Sequence, residues 1–371
     1  MFTSRMALPC ELNRPQGFEF PMSLSILVIG SENPRIGDLF REVGRYAKVS
    51  YMNIGTTPGH YLSLSGASAD SLRTTIFSQF GKPDVIVFTW PQLAFFAEKF
   101  PDITRVYYCK DPFEHWTCWK RQEIHELESR LLDNSDAVFA VSRLLAQDFC
   151  PRTRGKVFYL PNGVEESFLN AGRLSRPANL PADKPVLGSV GQINSTYDWQ
   201  YITELAENLP EARLCFVGNI SEEDPYWQLE IINKLNRMPN ILFLDRQPHE
   251  QIPAYLQHFD ISMCFLKVND YADRRSPLRL YDYLTTEKPI ISTPIREAYE
   301  HLPYIHTAES AKEAAAVARQ VLAGQLPPDV TARRQYISGQ TWAVRAEQLL
   351  VELLRLPKLA GWLEDFTSGQ S

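Results

Sequence analysis

The sequence predicts an α/β protein built from two doubly wound, parallel-sheet domains. Short β-branched or apolar runs alternate with amphipathic stretches along almost the whole chain, the pattern of strands covered on both faces by helices. The alternation halts at a polar stretch carrying Pro177, Pro181 and Pro185, then restarts. The length, 371 residues, suits two or three domains at roughly 100–200 residues each.

In the first half the strand candidates are 25–30, 48–54, 84–90, 105–111, 137–142 and 156–161. Helical periodicity falls between most of them, over 36–46, 72–80, 92–100, 119–134 and 143–149. Residues 1–21, with Pro9, Pro15, Pro21 and Gly17 and no steady period, read as a disordered tail. The first domain is then 22–170 and the linker 171–185. A second domain, 186–340, carries strands at 185–191, 213–218, 241–246, 261–267 and 289–295, a weaker one at 304–308, and helices at 198–209, 226–237, 249–258, 277–287 and 311–323. A last helix at 341–356 leads the segment 341–371.

Apolar residues make up 44% and charged residues 22%, an ordinary globular composition. The net charge of −6 supplies no basic field, so nucleic acid is not an expected partner. The six cysteines never form a C-x-x-C, and Cys215 and Cys264 lie inside apolar runs, as in a reducing compartment. No apolar run approaches the ~20 residues of a membrane helix. The N-terminal residues lack a signal-peptide layout, so a cytoplasmic location is expected.

Ligands of doubly wound sheets bind beyond the carboxyl ends of the strands. The most informative segment there is Arg274-Arg275-Ser276-Pro277-Leu278-Arg279-Leu280-Tyr281-Asp282. Ser276 reads as an N-cap and Pro277 as the first helical residue. Unpaired N–H groups and the dipole at such a helix start suit a phosphate. Arg279 would reach back to that anion, and Asp282, ~4.5 Å further along the axis, would meet a ribose diol. A capped surface helix with a local ion pair explains the same residues without a ligand. In Gly188-Ser189-Val190-Gly191-Gln192 two glycines would let backbone approach a ligand. The G-x-G-x-x-G of dehydrogenases is absent. Arg246, in Asp245-Arg246-Gln247, either meets a base edge or sits in a solvated turn.

With these motifs the chain resembles the GT-B glycosyltransferases of the large retaining group 1 (family 4-like), especially those that build bacterial cell-surface polysaccharides. The resemblance is carried by LLDNSDAVFAVSRLL (131–145), LPNGVEESF (160–168), 186–218, 240–267 and, most specifically, SPLRLYDYLTTEKPIIST (276–293). It implies two facing Rossmann-like domains, with a nucleoside-diphosphate sugar, a UDP-sugar by preference, on the C-terminal one. It also implies a glycan or lipid-linked acceptor, and a C-terminal helix that packs back on the N-terminal domain. The donor residues it implies are Gly191, Gln192, Arg246, Arg274, Arg275, Ser276, Pro277, Leu278, Arg279 and Asp282. Many members carry a Glu, seven residues, then a second Glu. Asp282 keeps the second carboxylate, and Arg274 replaces the first. Gln192 and Tyr197 stand near the usual basic pair, so donor charge falls to Arg279, with Arg274 or Arg275, and to backbone amides.

Asp111 ends a strand and is followed by Glu114, His115 and Trp116. Asp111 or His115 is the candidate for deprotonating an acceptor hydroxyl or orienting it; both also read as ordinary loop residues. Glu128 reads as structural or acceptor-facing. Trp90, Phe95, Phe96, Phe113, Trp116 and Trp119 would stack on a sugar, dock on a lipid-linked acceptor at the membrane surface, or fill the core. Cys109, His115, Cys118 and His125 match no common zinc spacing, and there is no Asp-x-Asp, so neither a metal nor another cofactor is expected. Two other functions fit the same fold: a non-catalytic binding or scaffold subunit, favoured by Arg274, and a nucleotide-sugar epimerase.

Overall fold

The computed structural model describes residues 8–9, 20, 22–30, 34–54, 69–116, 120–221 and 231–362. The chain forms two compact units. One holds Met1–Gly163, Arg274–Ser276 and Trp342–Ser371; the other holds Val164–Asp273 and Pro277–Thr341.

Among the described residues the first unit contains seven strands: β1 (Leu8–Pro9), β2 (Ser25–Gly30), β3 (Lys48–Asn53), β4 (Val85–Phe88), β5 (Thr104–Cys109), β6 (Ala137–Ala140) and β7 (Lys156–Tyr159). All pair in parallel, in the order β1-β7-β6-β5-β4-β2-β3. Val85–Phe88 and Ala137–Ala140 are buried throughout, which is why their sequences run apolar without alternation. The edge strand β3 is largely solvated and opens on Lys48, a charge that discourages further pairing. The amphipathic helix Trp342–Leu354 belongs to this unit. It packs along helix Pro34–Val43, burying Leu349, Leu350, Leu353 and Leu354, and Tyr46 donates to Glu347 at 2.9 Å.

The second unit contains β8 (Val186–Val190), β9 (Arg213–Val217), β10 (Ile241–Leu244), β11 (Ile261–Cys264), β12 (Ile290–Ser292) and β13 (His306–Thr307). They are all parallel, in the order β10-β9-β8-β11-β12-β13. The chain runs outward from β8 to β10, then restarts beside β8 at β11. Strand order therefore reverses between β8 and β11, the place where such sheets leave a crevice at their carboxyl ends.

Several expectations are corrected. The tail is not wholly unstructured: Leu8–Pro9 pairs with Phe158–Tyr159, and Phe20 is buried against the ring of Tyr46, 4.9 Å away. The remainder of 1–21 lies outside the described residues apart from these three positions. The stretch 171–185 does not divide the units; the division falls at Gly163–Val164. Its prolines mark a segment bound to its own unit, where the Leu174 N–H donates to Gln257 Oε1 (3.0 Å) and Tyr255 to Asn179 (2.6 Å), with Leu180 buried. The helix expected over 92–100 is a 3₁₀ turn, Pro91–Leu93, followed by one α-helical turn, Ala94–Ala97. Of the helix expected over 226–237, residues 226–230 lie outside the described residues, as does Trp119, while Asn233–Leu235 is helical.

Candidate functional site

In the second unit the residues beyond β8 and β11 converge on Gly191. Gly191 is exposed, with φ +115°, and its N–H donates to Val217 O at 3.0 Å. A Cβ there would stand 3.2 Å from an Arg279 Nη2, so the guanidinium lies directly against the glycine. Arg279 comes from helix Leu278–Leu284, on the β11-to-β12 connection.

The guanidinium is held from behind. Nη1 donates to the Tyr197 hydroxyl and, at 3.5 Å, to Ser189 Oγ, while the group lies 4.7 Å from the centre of the Tyr197 ring. Ser189 Oγ is in turn 3.0 Å from the Tyr197 hydroxyl and 3.1 Å from that of Tyr283, which accepts from the Val190 N–H at 3.0 Å. Burial pushes the Tyr283 phenol up, so it stays neutral. Among the described residues nothing accepts the N–H of Leu278, Arg279 or Gln192. A cation fixed by the Tyr197 phenol and the Ser189 hydroxyl, which Tyr283 supports, thus stands beside unused amides at a topological switch point. That arrangement suits an anion that approaches over Gly191.

The predicted donor residues separate into two groups. Gly191, Gln192, Arg279 and the half-buried Asp282 belong to this cluster or its helix. Pro277, not Ser276, occupies the N-cap, with no side-chain cap, and the helix starts at Leu278. Ser276 precedes a proline, which disfavours helical geometry, and it is buried with its carbonyl accepting from Asn162 Nδ2 at 2.6 Å. Arg274 and Arg275 belong to the first unit. Arg274 Nε meets Asp148 at 2.6 Å and Arg275 Nε meets Asp111 at 3.2 Å. Both charges are therefore engaged within the first unit. Arg246 is exposed beyond β10, two strands from β8. Gly188 is a packing residue: a Cβ there would lie 2.2 Å from the Phe259 ring.

In the first unit Asp111 is 8% exposed beyond β5, paired with Arg275, and its carbonyl accepts from the Cys109 thiol. His115 ends the 3₁₀ turn Phe113–His115 and is half-buried. Trp90, Phe95, Phe96 and Phe113 are core residues, and Trp116 packs on Trp90 and Phe113 at 5.4 and 5.3 Å. Cys118 lies outside the described residues.

Sequence reasoning did not assemble a polar network that lies beside His115. Glu114 Oε1 is 2.7 Å from His125 Nδ1 and 3.1 Å from Arg152 Nη1. Arg152 also lies 3.5 Å from Glu128, which accepts from Tyr107 at 2.8 Å. Burial pushes the Glu128 carboxyl up to about 7. Burial also pushes Glu114 up, but the hydrogen bond from His125 and the Arg152 charge outweigh it and hold it low. Glu128 thus binds a proton more tightly folded than unfolded. Its contribution to stability is greatest below its ordinary value of 4.5 and is lost as pH rises to about 7. We expect wild type to lose roughly 3 kcal/mol across that window relative to Glu128→Gln. Urea titrations of both proteins at pH 5 and pH 8 check this; parallel pH dependence would show that Glu128 is not protonated in the fold.

Residues 172–325 match the family model for glycosyl transferases group 1. The chain carries a group 1 glycosyltransferase domain. The chain is 24% identical over 333 residues to TuaH of Bacillus subtilis strain 168, named as a teichuronic acid biosynthesis glycosyltransferase, covering 82% of this chain and 76% of TuaH. Anabaena HepE, solved with UDP and glucose, superposes with a TM-score of 0.66 at 14% identity over 89% of this chain and 99% of that one. Sucrose-phosphate synthase from Thermosynechococcus elongatus gives 0.65 at 13%, over 90% and 98%. The chain therefore has the GT-B fold of two Rossmann-like domains. The matched segment contains Gly191, Tyr197, Arg279 and Asp282, whereas Asp111 and His115 lie outside it. Among the described residues no helix is long and apolar enough to cross a membrane.

Proposed function

We propose that this glycosyltransferase moves a hexosyl group from a UDP-sugar to a glycan or lipid-linked acceptor during surface polysaccharide synthesis. The observation that carries this is the Arg279 guanidinium, fixed by Tyr197 and Ser189 against Gly191 at the switch point of the second sheet. Structures of HepE with UDP and with UDP-glucose support the donor class, and the name of TuaH supports the pathway class.

In this reading the diphosphate lies over Gly191, and Arg279 with the Leu278 and Arg279 amides stabilises charge as the sugar–phosphate bond breaks. No metal or cofactor takes part. Asp282 is assigned to the ribose diol. Asp111 and His115 are assigned to the acceptor, with Asp111 oriented by Arg275. The protein is cytoplasmic and reaches lipid-linked acceptors as a peripheral protein of the inner membrane face.

A thermal-shift panel of nucleoside diphosphates and their sugars tests the donor assignment. UDP and one UDP-sugar at about 100 times their Kd should add roughly 2.7 kcal/mol of stability, a rise of several degrees. A flat response to every nucleotide would remove the proposal. A second reading, a non-catalytic binding subunit of the same fold, is favoured by Arg274, whose charge is engaged by Asp148 where many relatives carry Glu. Donor hydrolysis by the purified chain separates the two.

A further inference from the structure

A second concave site lies in the second unit, away from Gly191. A cavity of about 650 Å³ is enclosed by the segment Phe168–Leu174, the helix Ile252–His258, the turn after helix Leu278–Leu284, and the helix Val330–Ser338. That turn leads into the amino end of β12, whereas Gly191 follows the carboxyl end of β8. The two sites are thus at opposite ends of the parallel strands.

The lining is cationic in a chain of net charge −6. Arg173, Lys288, Arg333 and Arg334 line it beside a single carboxylate, Glu287. Arg333 is 2% exposed and locked in place, with Nη1 donating to Lys288 O at 2.8 Å and Nη2 to Thr286 O. Burial pushes its guanidinium down to about 10, which still leaves it charged at neutral pH. The side chains of Arg173, Lys288 and Arg334 meet no carboxylate among the described residues. Converging like charges repel unless an anion joins them, and guanidinium groups match phosphate oxygens in pairs.

The wall carrying Arg173 is fixed rather than loose. Gln257 Nε2 donates to Gly172 O at 2.9 Å, and His258 Nε2 lies 2.9 Å from Leu174 O. Phe168, Leu169 and Leu284 supply an apolar side to the same cavity. Its volume falls within the ~300–1,000 Å³ of small-molecule sites.

We propose that this cavity is a second anion site, built for a phosphate-bearing ligand and separate from the crevice at Gly191. The phosphate is either that of a soluble metabolite or that of a lipid headgroup at the recess. The test compares wild type with Arg173→Ala/Lys288→Ala/Arg334→Ala, whose three side chains hold no part of the fold through hydrogen bonds or ion pairs among the described residues.

Calorimetry with pyrophosphate should show affinity at least about tenfold weaker in the triple variant. If the source is a headgroup, the loss appears instead as reduced sedimentation with phosphatidylcholine vesicles containing phosphatidylglycerol, against vesicles without it. UDP affinity should be the same in both proteins. Equal pyrophosphate binding together with equal sedimentation would overturn the proposal, and so would a parallel loss of UDP affinity. If UDP binds neither protein while pyrophosphate distinguishes them, the donor assignment fails and this site stands.

Discussion

Arg279→Met is expected to weaken UDP binding by about 30-fold, a loss of ~2 kcal/mol. The guanidinium faces Gly191 with Tyr197 and Ser189 behind it, so it does not have to be ordered when an anion arrives. Methionine keeps an unbranched, flexible apolar stem but removes the charge and every donor. Arg279→Lys restores charge without the planar fork and should recover only part of the affinity. Calorimetry on the three proteins, with circular dichroism to verify folding, decides the matter. Equal UDP affinity in wild type and the Met variant would show that the diphosphate does not lie at this residue.

Gly218→Ala should produce the largest loss of stability, about 3 kcal/mol or more. A Cβ at Gly218 would stand 1.9 Å from Gly191 O, and the backbone there has φ +156°. The atom it meets is backbone, tied through the Gly191 N–H to Val217 O, so it cannot swing aside as a side chain would. Gly191→Ala makes a useful contrast. Its Cβ would stand 3.2 Å from the Arg279 guanidinium, a far smaller overlap, so the cost is mainly the strain of φ +115°, of order 1–3 kcal/mol. Thermal unfolding should rank Gly218→Ala well below Gly191→Ala, with a fall of roughly 6–12 °C for the former. A midpoint for Gly218→Ala within two or so degrees of wild type would mean that the two glycine turns do not stack in this way.

The strands were legible because burial on both faces leaves a local signature. Runs such as Val85–Phe88 and Ala137–Ala140 need no partner information to be recognised. The second sheet's restart after the proline stretch was legible for the same reason. The position of the boundary was not, because a proline-rich segment that binds its own unit has the composition of a linker. At the Gly191 cluster, Arg279 was readable from helix spacing. Tyr283, one turn later on that helix, was equally accessible to an i,i+4 argument. Tyr197 and Ser189 contact Arg279 across 82 and 90 residues, a pairing that only tertiary packing creates. Arg274 and Arg275 show the converse. Adjacency to the helix start suggested a shared ligand, yet their charges are satisfied by Asp148 and Asp111, far away in sequence. Gly188 and Gly191 look alike in one dimension, but one faces the Phe259 ring and the other the Arg279 guanidinium.

The helix Trp342–Leu354 bears on the order in which the molecule can be made. It packs along helix Pro34–Val43, about three hundred residues earlier in translation, whose Ile36, Leu39, Phe40 and Val43 are buried. The first unit to leave the ribosome therefore stays unfinished until Trp342–Leu354 has emerged. The second unit, by contrast, has all its strands in hand by Thr307. During synthesis an apolar helix face waits in the open, a natural client for a chaperone, and any premature stop before Trp342 leaves that face bare for good.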